Sequence, residues 1–98
     1  MPIEPPPSAA RCSLSINPPP DGFVGPVKRS ITIAGHETSI TLEPLFWSAL
    51  EAAARGHDLP LNALVAEIDA LRITAPAPPN LASALRSWVL AEVQARGD

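Results

Sequence analysis

Three side chains in this sequence could ligate a soft metal ion: Cys12, His36 and His57. No two of them stand at a ligand spacing such as C-x-x-C or H-x-x-x-H, so no metal site is expected. Carboxylates fare no better as an acid–base pair. Glu67 and Asp69 lie two apart in a helical stretch and therefore project from different faces. Ser39, Ser48, Ser83 and Ser87 have no base within a motif, and nothing resembles G-x-S-x-G or a glycine-rich phosphate cradle. The expectation is a non-enzyme with no catalytic residue and no cofactor. What remains is recognition chemistry. Ser39 and Thr41 alternate with Ile40 and Leu42, which sets two hydroxyls on one side of a strand and two aliphatic chains on the other.

The elements that position these groups follow from the pattern. Thr38 to Leu42 has the period of a half-buried strand, and Pro44 suits the first position of a helix because the N–H it lacks has no partner there. An earlier run, Lys28-Arg29-Ser30-Ile31-Thr32-Ile33-Ala34-Gly35, alternates in the same way, with Ile31 and Ile33 on one face. Residues 34–37 either close a hairpin between the two runs or kink a single strand at Gly35. A lone two-stranded hairpin is barely stable in water, so either version needs a partner strand or helices beneath it.

A first helix is predicted from Pro44 to Arg55, with Phe46, Trp47, Leu50, Ala53 and Ala54 on one side. Gly56-His57-Asp58 ends it through a left-handed residue at Gly56 or Asp58, with His57 at the negative end of the helix dipole. A second helix is predicted to start at Pro60 with Leu59 as its cap, and Leu61, Leu64, Val65, Ile68 and Leu71 form its apolar stripe. So wide a stripe on a short helix suggests a subunit interface. After the proline-broken linker Ile73 to Pro79, Asn80 caps a third helix over roughly Leu81 to Ala95. Its predicted apolar face holds Leu81, Ala84, Leu85, Trp88, Val89 and Val93.

Composition bounds the rest. Residues 1–27 carry Pro5-Pro6-Pro7 and Pro18-Pro19-Pro20 and read as a disordered or polyproline-like tail. Removing them leaves about seventy residues, a size at which a lone core is marginal and oligomers are common. The expected division is a tail at 1–27, a core at 28–75, and a linker with C-terminal helix at 76–98. Net charge is −3, which weighs mildly against a nucleic-acid partner, although a dimer needs only a local positive strip. One cysteine excludes an intrachain disulfide and fits a reducing cytoplasm. No signal-peptide pattern is present, and no apolar run approaches the ~20 residues that span a bilayer. A cytoplasmic protein with no membrane partner is expected.

Residues 36–68, H-E-T-S-I-T-L-E-P-L-F-W-S-A-L through L-N-A-L-V-A-E-I, resemble ribbon-helix-helix proteins of the Arc/MetJ type. With K-R-S-I-T-I-A-G-H before them and N-L-A-S-A-L-R after, the chain is most similar to short bacterial proteins described as ribbon-helix-helix domain-containing. The resemblance covers about residues 28–95. It implies a mainly α fold with a short β ribbon: an intertwined homodimer, one strand from each subunit, with an added C-terminal helix. Ile40, Leu42, Trp47, Leu50, Leu64, Val65 and Ile68 would form the dimer core. The ribbon would enter the major groove of double-stranded DNA, with Glu37, Ser39 and Thr41 facing the bases. The backbone N–H groups of Leu61 and Asn62 would hold a phosphate at a helix N-terminus, and Lys28 and Arg29 would add positive charge beside the ribbon.

Two positions depart from the family pattern. Glu37 stands where a basic or amide residue is common, and a carboxylate accepts only from cytosine N4 while repelling phosphate. Pro60 stands where a hydroxyl residue is usual. A transcriptional regulator is the first expectation. The alternative is an antitoxin-like or adaptor/assembly protein of the same fold, with weak or no DNA binding, that takes a protein partner on the C-terminal helix at Trp88.

Overall fold

A computed structural model describes residues 16–97, and Cys12 with most of the predicted tail lies outside them. Residues 16–26 contain neither helix nor strand, apart from a turn in which the Gly22 N–H donates to the Pro19 carbonyl at 2.8 Å. Five elements follow: β1 (Val27–Ile33), β2 (His36–Leu42), α1 (Pro44–Gly56), α2 (Leu61–Arg72) and α3 (Leu81–Gly97). Val27, placed in the tail from the sequence, is thus the first residue of β1.

The 34–37 ambiguity resolves as a hairpin. β1 and β2 run antiparallel in one register from Val27↔Leu42 to Ile33↔His36. Ala34 and Gly35 make the turn, with φ of 51° and 83°. Positive φ at both central residues is the pattern of a type I′ turn, whose twist matches that of the strands it joins. Both strands of the ribbon therefore belong to one chain, whereas the resemblance implies one strand from each of two.

The hairpin lies on three helices. α2 and α3 pack on one another, α2 packs against β1 and α3 against β2, and α1 packs on both α3 and α2. Ile31 and Ile40 from the ribbon, Leu42 at its end, Trp47, Leu50, Ala53 and Ala54 from α1, Leu64, Val65 and Ile68 from α2, and Leu85 and Val89 from α3 make one buried cluster. All seven residues assigned to a dimer core lie inside this cluster, so the single chain already covers them.

Local chemistry sets the helix ends. Pro44 is the first residue of α1, as its fixed φ favours. At the other end the Asp58 N–H donates to the Arg55 carbonyl and the Leu59 N–H to that of Ala54, with Asp58 left-handed at φ 58°. These two bonds define a Schellman motif, and Leu59 packs against the core as its apolar plug. α2 begins one residue later than predicted: Pro60 is its extended N-cap and Leu61 its first helical residue. Asn80 caps α3, its Oδ1 accepting from the Ser83 N–H at 2.8 Å.

Two predicted apolar positions point to solvent. Leu71 is 62 % exposed because the buried stripe of α2 drifts to position 72 instead. There Arg72 turns back to Asp69 at 2.9 Å and to the Pro79 carbonyl at 3.0 Å. Val93 is 50 % exposed. At that level α3 turns Glu92 toward α1, where its carboxylate meets His57 at 2.8 Å and Arg96 at 3.1 Å. Among the described residues, no helix is long and apolar enough to cross a membrane.

Candidate nucleic-acid interface on the ribbon

The hairpin register sorts its side chains into two faces. Arg29, Ile31, Ile33, Thr38, Ile40 and Leu42 turn toward the helices. Lys28, Ser30, Thr32, Glu37, Ser39 and Thr41 turn away, all exposed. They stand in three cross-strand pairs: Lys28 opposite Thr41, Ser30 opposite Ser39, and Thr32 opposite Glu37. The outer face thus carries four hydroxyls, one cation at the open end and one carboxylate near the turn. No apolar side chain interrupts it. Hydroxyls accept or donate at any base edge, so such a face can adapt to a groove more readily than it can select a sequence.

Lys28, Glu37, Ser39 and Thr41 of the predicted contact set come together here. Ser30 and Thr32 were missed, although the alternation through Ile31 and Ile33 was the signal that could have found them once the hairpin was chosen. Arg29 belongs on the other side. Neighbours in a strand face opposite ways, and Arg29 follows Ile31 inward rather than joining Lys28. Its guanidinium lies 4.7 Å from the centre of the Trp47 ring, and its Nη1 donates to Glu51 at 3.2 Å. The Trp47 indole N–H donates in turn to the Val27 carbonyl at 2.9 Å. Arg29 therefore clamps β1 to α1, on the side of the ribbon opposite Lys28.

Leu61 and Asn62 sit at the start of α2, on an element beneath the ribbon rather than on its outer face. Ala63 and Leu64 already donate to the Pro60 carbonyl, so the N–H groups of Leu61 and Asn62 stand outside the helical ladder. Leu61 is partly buried against the core and Asn62 is exposed.

Electrostatics narrow what the surface can attract. Arg29, Arg72, Arg86 and Arg96 are each held by a carboxylate, respectively Glu51, Asp69, Glu43 and Glu92. Lys28 and Arg55 form no ion pair among the described residues. Glu43 is held below the ordinary carboxylate range by its own backbone N–H and by Arg86, and Glu92 by the hydrogen bond from His57 and by Arg96. Both carboxylates bind α3 to the rest of the fold. Arg86 also lies 5.8 Å from the Phe46 ring, and Trp88, half-buried, sits 6.1 Å from His57. Trp88, assigned to a protein partner, packs against its own chain.

Among the described residues no three His, Cys, Asp or Glu side chains gather as a metal site requires. A surface hollow between residues 19–24 and the first turn of α1 is walled chiefly by Pro19, Pro20, Phe23, Pro44, Leu45 and Phe46. Its walls offer little of the convergent polar chemistry an active site needs.

The hairpin, the helices and the third helix fit one family. The family model described as "Ribbon-helix-helix domain" matches residues 26–93. The chain belongs to that family, and the match takes in both strands and all three helices except the end of α3. No curated protein and no solved structure matches the chain.

Proposed function

We propose that this ribbon-helix-helix protein is a homodimeric, non-enzymatic DNA-binding regulator that lays the outer face of its ribbon in the major groove. One observation carries the reading: six exposed polar side chains, Lys28, Ser30, Thr32, Glu37, Ser39 and Thr41, occupy the whole outward face of a two-stranded ribbon. A two-stranded ribbon fits the major groove, where each base pair presents a distinct set of donors and acceptors. The family match adds weight, because strands of this fold read DNA in that groove. Ser30, Thr32, Ser39 and Thr41 are the proposed base contacts. Lys28 is the proposed phosphate contact, helped by the free N–H groups of Leu61 and Asn62. Glu37 restricts the base opposite it to a donor such as cytosine N4.

A second reading, a protein-binding adaptor or antitoxin-like role, is favoured by a specific observation. Four arginines that could meet phosphate are already neutralised by carboxylates, and α3 exposes Leu90 and Val93. Titration of the purified protein with the DNA upstream of its own gene, and with random DNA, separates the two. The regulator predicts tighter binding to its own upstream DNA, lost in the Ser39→Ala/Thr41→Ala double variant with the fold intact by circular dichroism. Absence of binding to either duplex at low salt refutes it and leaves the protein-binding reading.

A further inference from the structure

We propose that the hollow between residues 19–24 and the first turn of α1 binds a small amphipathic amine, an apolar or aromatic body bearing one ammonium group. The inference is independent of both the DNA-binding and the protein-binding reading. Size comes first: the hollow measures ≈ 540 Å³, within the range of pockets that hold small molecules. Its walls are apolar side chains that the fold leaves in water. Phe23 is 88 % exposed, Leu45 56 % and Val24 49 %, and all three line this one hollow. Val27, exposed as well, lines a smaller hollow that shares Pro44 and Ser48 with it. Apolar surface gathered in this way marks a site of interaction, whereas single exposed side chains do not.

Both walls are shaped before anything binds. Pro19 and Pro20 have φ fixed by their rings. The Gly22 N–H closes a tight turn on the Pro19 carbonyl at 2.8 Å, with Pro20 at the turn position that proline favours and Asp21 after it. Gly22 itself has φ of 76°, which a Cβ would oppose, and this sets the course of the chain into Phe23. An arm so restricted has little freedom left to lose when a ligand is seated against it. Opposite it, Pro44, Leu45 and Phe46 stand on the first turn of the 13-residue α1.

Charge selects the occupant. The ionisable side chains lining the hollow are Asp21 and Glu43, both acidic. Glu43 is kept ionised by its own backbone N–H and by Arg86. Arg86 and the positive end of α1 in turn offset the Glu43 charge. Asp21 forms no ion pair among the described residues and is left as the uncompensated charge. The Phe23 ring has no aromatic or cationic partner among the described residues either. An ammonium beside the Asp21 carboxylate and the Phe23 face gains from both. The apolar body then fills the space that Phe23, Val24 and Leu45 border, whereas a carboxylate ligand would meet Asp21 as a like charge.

Titration of the full, isotope-labelled chain, followed by amide NMR at neutral pH and constant ionic strength, tests the assignment. Phenethylammonium is the probe and hydrocinnamate its charge-reversed match. Expected are saturable shifts of the Phe23, Val24, Leu45, Phe46 and Ser48 signals, with phenethylammonium bound about fivefold more tightly than hydrocinnamate. Phe23→Ala, at an exposed position that leaves the thermal midpoint in place, is expected to weaken the amine about fivefold. Asp21→Asn is expected to bring the two probes within about twofold of each other. Equal or tighter binding of hydrocinnamate overturns the proposal. So does a response that fails to saturate, one centred on other residues, or an unchanged affinity in Phe23→Ala. Shifts of the same signals on concentrating the protein alone would show a second copy seated in the hollow, and that overturns it too.

Discussion

Lys28 and Arg29 are adjacent in sequence and opposite in role, and paired substitutions bring that out. Arg29 stacks on Trp47 and donates to Glu51, with 40 % and 42 % of the two ion-pairing side chains exposed. A cation over an aromatic ring at a partly exposed site contributes about 0.5–1 kcal/mol. A half-exposed ion pair adds about 0.2–1 kcal/mol, less in salt. Arg29→Gln is therefore expected to cost about 1 kcal/mol, which lowers Tm by about 5 °C in a domain of this size. Salt should diminish part of the loss and spare the stacking part. Lys28 faces outward with no ion pair among the described residues, so Lys28→Ala is expected to leave Tm within about 0.5 kcal/mol of the parent.

DNA binding reverses the order. Each phosphate neutralised contributes about −0.9 to the slope of log K against log salt. With one free lysine per ribbon, a dimer is expected to show a slope of about −1.8, or roughly a tenfold loss between 50 and 200 mM salt. Lys28→Ala should flatten that slope and Arg29→Gln should leave it unchanged. Thermal unfolding and fluorescence anisotropy on one duplex, each across the salt range, measure both quantities. If Arg29→Gln reduced the slope by about one per copy without lowering Tm, the clamp assigned to Arg29 would be refuted.

Three further outcomes test how α3 is held. Leu85 is fully buried between α3 and the rest of the core, so Leu85→Ala is expected to cost about 2–5 kcal/mol in urea unfolding. Asn80→Ala removes the cap on the Ser83 N–H and is expected to cost about 1 kcal/mol by the same measurement. Acid should loosen α3: Glu43, held low by its backbone N–H and Arg86, and Glu92, held low by His57 and Arg96, both lie below the ordinary value of 4.5. A carboxyl with a depressed folded pKa stabilises the fold above its unfolded pKa, and that contribution fades as pH falls through the folded value. Unfolding midpoints are thus expected to drop as pH falls below 4.5. The Glu92→Gln variant should show a shallower drop, and an unchanged drop would count against the Glu92 contribution.

The sequence carried the local features of the fold and withheld the long-range ones. Pro44 at the start of α1 and the Asn80 cap of α3 could be read because each acts within a few residues of itself, and the left-handed turn after α1 was narrowed to Gly56 or Asp58, of which Asp58 takes it. The inward and outward sets of β2 followed from alternation about Ile40, while in β1 only the shared face of Ile31 and Ile33 was read. The hairpin did not, because Ala34 does not announce a left-handed turn as Asn would. The contacts of Arg29 could not be read: Trp47 and Glu51 lie far along the chain, and only the folded ribbon brings them under it. Leu71 and Val93 fit a helical stripe by spacing, but Arg72 and Glu92 are the side chains that turn inward at those levels. The helix pattern predicts which residues can face a neighbour and not which polar partners that neighbour offers.

The bond between the Trp47 indole and the Val27 carbonyl has an optical consequence. Trp47 is 3 % exposed, with its polar edge closed by β1 and its face covered by Arg29. Lifting β1 from the helices admits water to that ring and is expected to shift its emission to the red. Trp88, the other tryptophan, is half-buried against α3's own neighbours, far in sequence from β1. A Trp88→Phe variant would leave a single lamp whose colour reports, without any label, whether the first strand is seated.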